Sequence, residues 1–214
     1  MALTYNRIAG QSVERLAALS DGIFAFAMTL LVIDLHTPTS EAIHSEHELW
    51  RALVALGPQL VVWLMSLMTL AIFWVGQQTQ LNYLERSHRS LAWIHMVFLF
   101  TVTMIPFSTR LLGQFPSYRL AVGVYWLNIL LIGVVLYLSW DCAISLGLAR
   151  SEMPPEVPVV IKQRIVVAQA LYAFGAALCV FNTHYSIAFI ALVQLNYAVA
   201  PHFWRKFKWT QPLD

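Results

Sequence analysis

Charged residues divide the chain into long apolar segments, most of them about the length of a bilayer crossing. Between Arg15 and Asp34 the only charged residue is Asp21. Four further stretches contain no charge at all: 52–84, 90–109, 120–140 and 165–204. The last has 40 residues, and as one helix it would measure about 60 Å, roughly twice the thickness of the hydrocarbon core. It must therefore turn, and the polar sequence NTHYS at Asn182–Ser186 is the expected place.

This pattern predicts an all-α, polytopic membrane protein with six transmembrane helices in one domain, 1–214. The expected spans are approximately 15–35, 50–77, 90–112, 119–147, 164–182 and 186–204. Composition agrees, since 59% of residues are hydrophobic and 11% are charged, against about 25% charged in a typical soluble domain. The formal net charge of +2 is small and scattered, so nucleic acid is not an expected partner. The first apolar segment is full length, so we expect it to be an uncleaved insertion signal.

The distribution of Lys and Arg predicts that both termini are cytoplasmic. With the N-terminus inside, ten cations lie on the inner side: Arg7, Arg15, Arg86, Arg89, Arg150, Lys162, Arg164, Arg205, Lys206 and Lys208. Only Arg51, Arg110 and Arg119 then lie outside. An excess of Lys and Arg in short loops marks the cytoplasmic side of a membrane protein.

The first span carries a narrow apolar stripe. At 100° per residue, Phe26, Leu30 and Ile33 fall on one line with Thr29 at its edge, while Ser20 and Asp21 point to the other side of the helix. Such a stripe has two interpretations. It can pack into a bundle core or face lipid, or it can line a pore as a hydrophobic constriction in a symmetric oligomer. Spacing alone does not separate them.

Asp21 is expected to meet polar partners on other helices, because an ionisable residue within a span is costly unless it faces protein or water. Candidate partners in the same leaflet are Gln77, Gln78, Gln80 and His95. Arg15 is six residues from Asp21, beyond the reach of neighbouring turns on one helix. If these two pair, they do so across helices.

The sequence R-x-x-x-L-S-D formed by Arg15, Leu19, Ser20 and Asp21 resembles the R-x-x-x-F-S-D signature of the transmembrane protein 175 potassium channels. The continuation GIFAFAMTLLVIDL and the later PFSTRLLG at Pro106–Gly113 are also similar to that family. The resemblance is to its shorter, prokaryotic members. It implies six-span subunits assembled as a homotetramer in the lipid bilayer of a prokaryotic plasma membrane, with K⁺ as the permeant ion and no cofactor.

The resemblance also implies roles for residues of the first span. The innermost constriction falls on Phe26, the next level on Leu30 with Thr29 beside it, and the outer level on Ile33. Arg15, Ser20 and Asp21, with Gln77 and His95, would form a polar network that positions this helix. The chain has Leu19 where the family has Phe, Gln77–Gln78 where it usually has a His pair, and His95 where it has Asn.

An apolar filter offers no ligands to an ion, so a preference for K⁺ over Na⁺ would reflect the lower dehydration cost of the larger ion. The Thr29 hydroxyls could reduce that cost, because their oxygens accept as carbonyls do. The predicted function is therefore a passive, potassium-preferring cation channel rather than an enzyme.

Other functions remain as alternatives. A proton-coupled secondary transporter or proton pathway would use Asp21 as a titrating carrier. A membrane enzyme would use His184, His202 or His95 as a base, but no nucleophile is visible beside them. Loop residues His36, His44, His47 and Glu48 have metal-binding side chains, although a solvated loop is the expectation and no metal site is predicted.

Overall fold

The long apolar segments form helices, and the predicted all-α class is confirmed. The computed structural model describes residues 10, 12–33, 35 and 43–199. In chain order the helices are α1 (Val13–Ile33), α2 (Glu46–Ala55), α3 (Gly57–Asn82), α4 (Arg89–Thr103), α5 (Ile105–Gln114), α6 (Arg119–Ser145), α7 (Val157–Ala177) and α8 (Thr183–Val199), with a 3₁₀ turn at Leu178–Val180.

Within the described residues, five helical segments are long and apolar enough to cross a membrane. They are Val13–Ile33, Gly57–Asn82, Arg89–Gln114, Arg119–Ser145 and Val157–Val180. The sixth expected span, 186–204, overlaps α8, which has 17 described residues. The remainder of that span lies outside the described residues. The structure thus supports a polytopic membrane protein, while the sixth span stays a prediction.

Two prolines set helix boundaries that the apolar pattern does not reveal. Pro58 lies in the first turn of α3, and Pro106 lies in the first turn of α5. Proline is tolerated there because the first backbone N–H groups of a helix have no intrahelical partner. The expected span 90–112 is therefore divided into α4 and α5 at Met104.

Other boundaries also differ from the expected ones. The expected span 50–77 is interrupted at Leu56 and runs on to Asn82, and α7 begins at Val157 rather than at 164. The turn expected at Asn182–Ser186 lies slightly earlier, because α8 already begins at Thr183 and the Asn182 side chain accepts a hydrogen bond from the His184 backbone N–H at 2.8 Å. Charges are poor boundary markers here, since Lys162 lies inside α7, paired with Asp141 on α6.

Helix α6 is the centre of the bundle. Its residues Tyr125, Ile129 and Ile132 are completely buried, and the helix packs against α4, α5 and α7. α1 packs on α3 and α4 at the edge of the bundle, where Phe24 meets Phe98 with ring centroids 6.0 Å apart. The first helix is thus attached to the bundle by one face.

Candidate functional site

The first helix has one face buried in the bundle and a broad arc free of its own subunit. Residues on the buried face recur every three or four positions: Leu16, Ser20, Phe24, Ala27 and Leu31. This is the periodicity of an α-helix that buries one stripe.

The predicted constriction residues all fall away from that buried face. Phe26 is 61% exposed and Ile33 is 72% exposed in the single subunit. Thr29 is also exposed and Leu30 is half-buried. The Thr29 hydroxyl donates to the Phe26 carbonyl at 2.8 Å. Its hydrogen is therefore used within the helix, and its oxygen retains lone pairs that can face a cation.

Ser20 is the polar centre of the buried face. Its Oγ donates to the Leu16 carbonyl at 2.8 Å and accepts from Gln77 Nε2 at 3.0 Å. His95 Nε2 lies 2.7 Å from the same Oγ. A hydroxyl has one hydrogen to donate and two lone pairs to accept with, so the network assigns the His95 proton to Nε2. All three side chains are buried, and the Ser20 hydroxyl joins α1 to both α3 and α4.

Asp21 lies on the subunit surface rather than beside Ser20 in the interior. Consecutive residues of a helix point about 100° apart, which carries the carboxylate around to the flank of α3. There Asp21 Oδ1 accepts from Trp74 Nε1 at 2.8 Å and from Gln78 Nε2 at 2.7 Å. Ser20 and Asp21 therefore form separate hydrogen bonds to α3, Ser20 inside the subunit and Asp21 at its surface.

Arg15 does not complete an intrasubunit pair with Asp21. Its side chain is exposed, and in the described part of one subunit the two residues form no ion pair. The Arg15 backbone N–H instead donates to the Ser12 hydroxyl at 3.2 Å, at the start of α1. Of the five network residues, the structure brings Ser20, Gln77 and His95 into one cluster. Asp21 has separate hydrogen bonds at the subunit surface, and within the described residues the Arg15 side chain hydrogen-bonds to neither group.

A second buried polar cluster was not anticipated from the sequence. Thr109 donates to Ser66 at 2.7 Å, the Tyr125 hydroxyl lies 3.2 Å from Ser66 Oγ and 3.0 Å from Thr69 Oγ1, and Gln194 Nε2 donates to Thr69 at 2.6 Å. These side chains join α3, α5, α6 and α8. The available signal was a set of single polar residues within apolar runs, but such residues do not reveal their partners.

The structure gives no support to the alternative metal site or to a catalytic base in the part of the chain that it describes. The described residues contain no group of three or more His, Cys, Asp or Glu side chains that could hold a metal ion. The Glu48 carboxylate instead accepts from the His44 backbone N–H at 2.7 Å. Among the histidines considered as bases, His184 is exposed at the start of α8. His95 does lie beside a hydroxyl, that of Ser20, but this hydroxyl donates its hydrogen to the Leu16 carbonyl rather than to the His95 ring. His36 and His202 lie outside the described residues.

Comparison with known proteins finds a similarity to one family of membrane channels. Residues 15–106 match the family model described as the endosomal/lysosomal potassium channel TMEM175. A potassium channel of Chamaesiphon minutus is 28% identical over 183 residues, covering 83% of this chain and 85% of the relative. Over these residues the chain is similar to the TMEM175 family. The matched residues include all of the predicted constriction and polar network.

Two further relatives match over only part of their own length. A potassium channel of Streptomyces collinus is 28% identical over 130 residues, 59% of this chain and 62% of the relative. The human endosomal/lysosomal proton channel TMEM175 is 22% identical over 187 residues, and the match covers 86% of this chain but 36% of that protein.

A solved structure shares the fold. The crystal structure of a lysosomal potassium-selective channel TMEM175 homolog from Chamaesiphon minutus superposes with a TM-score of 0.76 at 24% identity, covering 87% of this chain and 96% of that one. The helical bundle is therefore a fold already known in a membrane channel.

Proposed function

We propose that the chain is a passive, potassium-preferring cation channel, in which α1 of each of four subunits faces a shared water-filled axis. The observation that carries this proposal is the exposure of Phe26 and Ile33 on α1, opposite the fully buried Ser20. An apolar side chain that its own subunit leaves exposed must meet lipid, another subunit or an aqueous path. The names of the bacterial relatives, both potassium channels, favour the ion path.

In this arrangement the exposed arc of α1, which runs from Gly22 to Ile33 on the side away from Ser20, forms a hydrophobic constriction with three levels. Phe26 is the innermost level, Leu30 with Thr29 is the next, and Ile33 is the outermost. Hydrophobic constrictions pass ions according to width and the cost of dehydration. The Ser20 cluster and the contacts of Asp21 then fix how far α1 leans toward the axis.

Several parts of this proposal rest on the sequence alone. The cytoplasmic termini follow from the distribution of Lys and Arg, and the single channel domain over 1–214 follows from the apolar pattern. The fourfold assembly and the prokaryotic plasma membrane follow from the family resemblance. The exposed arc supports assembly, because it includes the small residues Gly22 and Ala25, and small residues favour close contacts between membrane helices.

Flux measurements on reconstituted protein test the proposal. Purified protein in liposomes should carry a potassium-driven flux that does not saturate as a carrier would. Phe26→Ala removes the bulkiest level and should raise K⁺ flux by about tenfold or more, because it lowers the barrier of a dewetted constriction.

Phe174→Ala is the matched control, since Phe174 on α7 is a similarly exposed phenylalanine at 55%. This variant should leave K⁺ flux within about twofold of wild type, because no ion path is proposed there. Absence of flux from folded wild-type protein, or equal effects of the two variants, would remove the channel proposal.

A second candidate function is proton permeation. The human relative is named as a proton channel, and Asp21 is a titratable group on the exposed flank of α1. A proton-coupled carrier that uses Asp21 would show K⁺ flux that saturates and is driven by a pH gradient. A passive proton channel would carry H⁺ down a pH gradient without saturating, whereas a passive potassium channel would show K⁺ flux that neither saturates nor follows the pH gradient.

A further inference from the structure

A cavity lies between α3, α6, α7 and α8, on the side of α3 that faces away from α1. It holds about 70 Å³ for water-sized molecules. The residues of α3 that line it are Ile72, Phe73, Gly76, Thr79 and Gln80. The residues of α3 that hydrogen-bond to α1 are Trp74, Gln77 and Gln78, and on the helical wheel they occupy the opposite side.

The cavity wall contains buried polar atoms without a hydrogen bond of standard geometry. Tyr172 and Gln169 both line it. Tyr172 is 1% exposed, and in the described part of the chain neither its hydroxyl nor Gln169 Oε1 makes such a bond, although the Gln194 side chain lies near the Tyr172 hydroxyl. The Gln169 amide nitrogen has only a long bond of 3.4 Å, to the Ile129 carbonyl.

Such atoms need a partner, because a polar group left unpaired in an apolar interior costs free energy, and a bilayer supplies no substitute. Buried polar atoms that have no hydrogen-bond partner in the protein commonly bond to ordered water. A water molecule needs roughly 10–15 Å³ of such volume and two to four polar partners. This cavity is several times larger and provides a donor and an acceptor.

We propose that the cavity is a binding pocket for a small cluster of water molecules within each subunit, separate from the proposed ion path. Water accepts from the Tyr172 hydroxyl and donates to Gln169 Oε1. Arg164 and Tyr197, which also line the pocket, provide a polar approach from the end of α7 where the helix begins. The inner half of α3 thus lies between α1 on one side and exchangeable water on the other.

Cysteine reactivity tests whether the pocket is wet. Ala168→Cys places a thiol in the lining, and Ala170→Cys places one on an exposed face of the same helix. Both are made in protein that carries Cys142→Ala and Cys179→Ala, and the protein is held in nanodiscs. Ag⁺ is the probe, and its reaction is read as protection against maleimide labelling after unfolding.

Ala168→Cys should react about tenfold or more faster than Ala170→Cys, because a small cation enters water readily but hydrocarbon at high cost. Equal rates, or a slower reaction at 168, would overturn the proposal. The measurement needs no ion flux, so its outcome is independent of the proposed function.

Gly76 provides a way to fill the pocket. A Cβ at this position would have Leu136 Cδ2 as its nearest neighbour at 3.7 Å, so Gly76→Ala should be accommodated and should leave labelling at position 168 unchanged. Gly76→Leu extends into the pocket and should slow that labelling by about fivefold or more, because it displaces the water. Unchanged labelling in folded Gly76→Leu protein would contradict the proposal.

Discussion

The first helix and α7 are the two most exposed of the five candidate spans, yet they expose different chemistry. Within the most apolar window of each span, 22% of residues are buried in α1 and 17% in α7, compared with 44% in α6. Beside the large apolar residues Leu19, Phe26, Val32 and Ile33, the exposed residues of α1 include small and polar ones: Ala18, Asp21, Gly22, Ala25 and Thr29. Most of those on α7 are branched or aromatic, including Val159, Val160, Val166, Val167 and Phe174.

This difference teaches that exposure in one subunit does not identify what a membrane helix faces. Small residues allow close approach between helices, and carboxylates avoid lipid. Branched and aromatic side chains are compatible with acyl chains. This difference is what the proposed function expects, with α1 facing other subunits and water and α7 facing lipid. Substitutions at matched positions on the two helices can break this expectation.

The largest expected difference is between Gly22→Leu and Ala170→Leu. In one subunit a Cβ at Gly22 meets no atom within 4 Å, so a leucine there should not disturb the fold of the subunit. If α1 packs against neighbouring copies, Gly22→Leu will disrupt the assembly and reduce K⁺ flux by about tenfold or more. Ala170→Leu should change neither.

Native mass spectrometry in detergent gives the subunit number, and liposome flux gives the activity. Assembly and flux that survive Gly22→Leu as well as they survive Ala170→Leu would mean that α1 does not form the subunit interface.

Helix periodicity explains how much of α1 could be predicted from the sequence. The wheel separates Phe26 and Ile33 from Ser20 because a helix repeats every 3.6 residues whatever surrounds it. Matching depths across predicted spans selected Gln77, Gln78, Gln80 and His95 as candidate partners of Asp21. Of these the structure places Gln78 against Asp21, whereas Gln77 and His95 lie beside Ser20 instead. These inferences need only local geometry and the order of the spans.

What the sequence could not predict depends on three-dimensional context. The flank position of Asp21 depends on where Trp74 and Gln78 lie on α3. The cluster around Tyr125 joins helices that are distant in sequence, as its contact with Thr69 illustrates. The break before Pro58 was missed because an apolar pattern continues across it, although the missing N–H of proline stops the helix.

A smaller difference is expected between the polar contacts that attach the two helices. Ser20→Ala leaves the Gln77 and His95 groups without their shared partner, so the free energy of unfolding should fall by about 1–3 kcal/mol. Gln169→Ala on α7 removes one long hydrogen bond and should cost about 0.5–1.5 kcal/mol. Equilibrium unfolding in mixed micelles measures both. A larger loss for Gln169→Ala would mean that α7, not α1, depends more on its polar contact.

Thr29 should have a still smaller effect, on selectivity rather than on assembly. Thr29→Val keeps the branched shape but removes the hydroxyl oxygen, so the K⁺/Na⁺ permeability ratio should fall by about twofold. Val167→Thr adds a hydroxyl to the exposed face of α7 and should leave the ratio unchanged. Bi-ionic reversal potentials measure both variants. If Thr29→Val and Thr29→Ala both retain the wild-type ratio, Thr29 has no part in selectivity.

The smallest effect on K⁺ flux is expected from Asp21→Asn, and for that reason it separates a channel from a carrier. Both hydrogen bonds to Asp21, from Trp74 and from Gln78, end on Oδ1. An asparagine presents a carbonyl oxygen at the same place, so shape and hydrogen bonding persist while charge and titration are lost.

In a passive channel whose path is lined by the apolar arc, Asp21→Asn should retain K⁺ flux within about twofold at neutral pH, because the residue only positions α1. In a proton-coupled carrier the substitution removes the group that binds the proton, and flux driven by a pH gradient should disappear. Liposome assays with a K⁺ gradient and with a pH gradient, on the same preparation, distinguish these results. Loss of pH-driven flux in Asp21→Asn, together with saturating K⁺ transport in wild type, would mean that the protein is a carrier. The transported ion would then bind at the Asp21 side of α1 rather than pass along its apolar stripe.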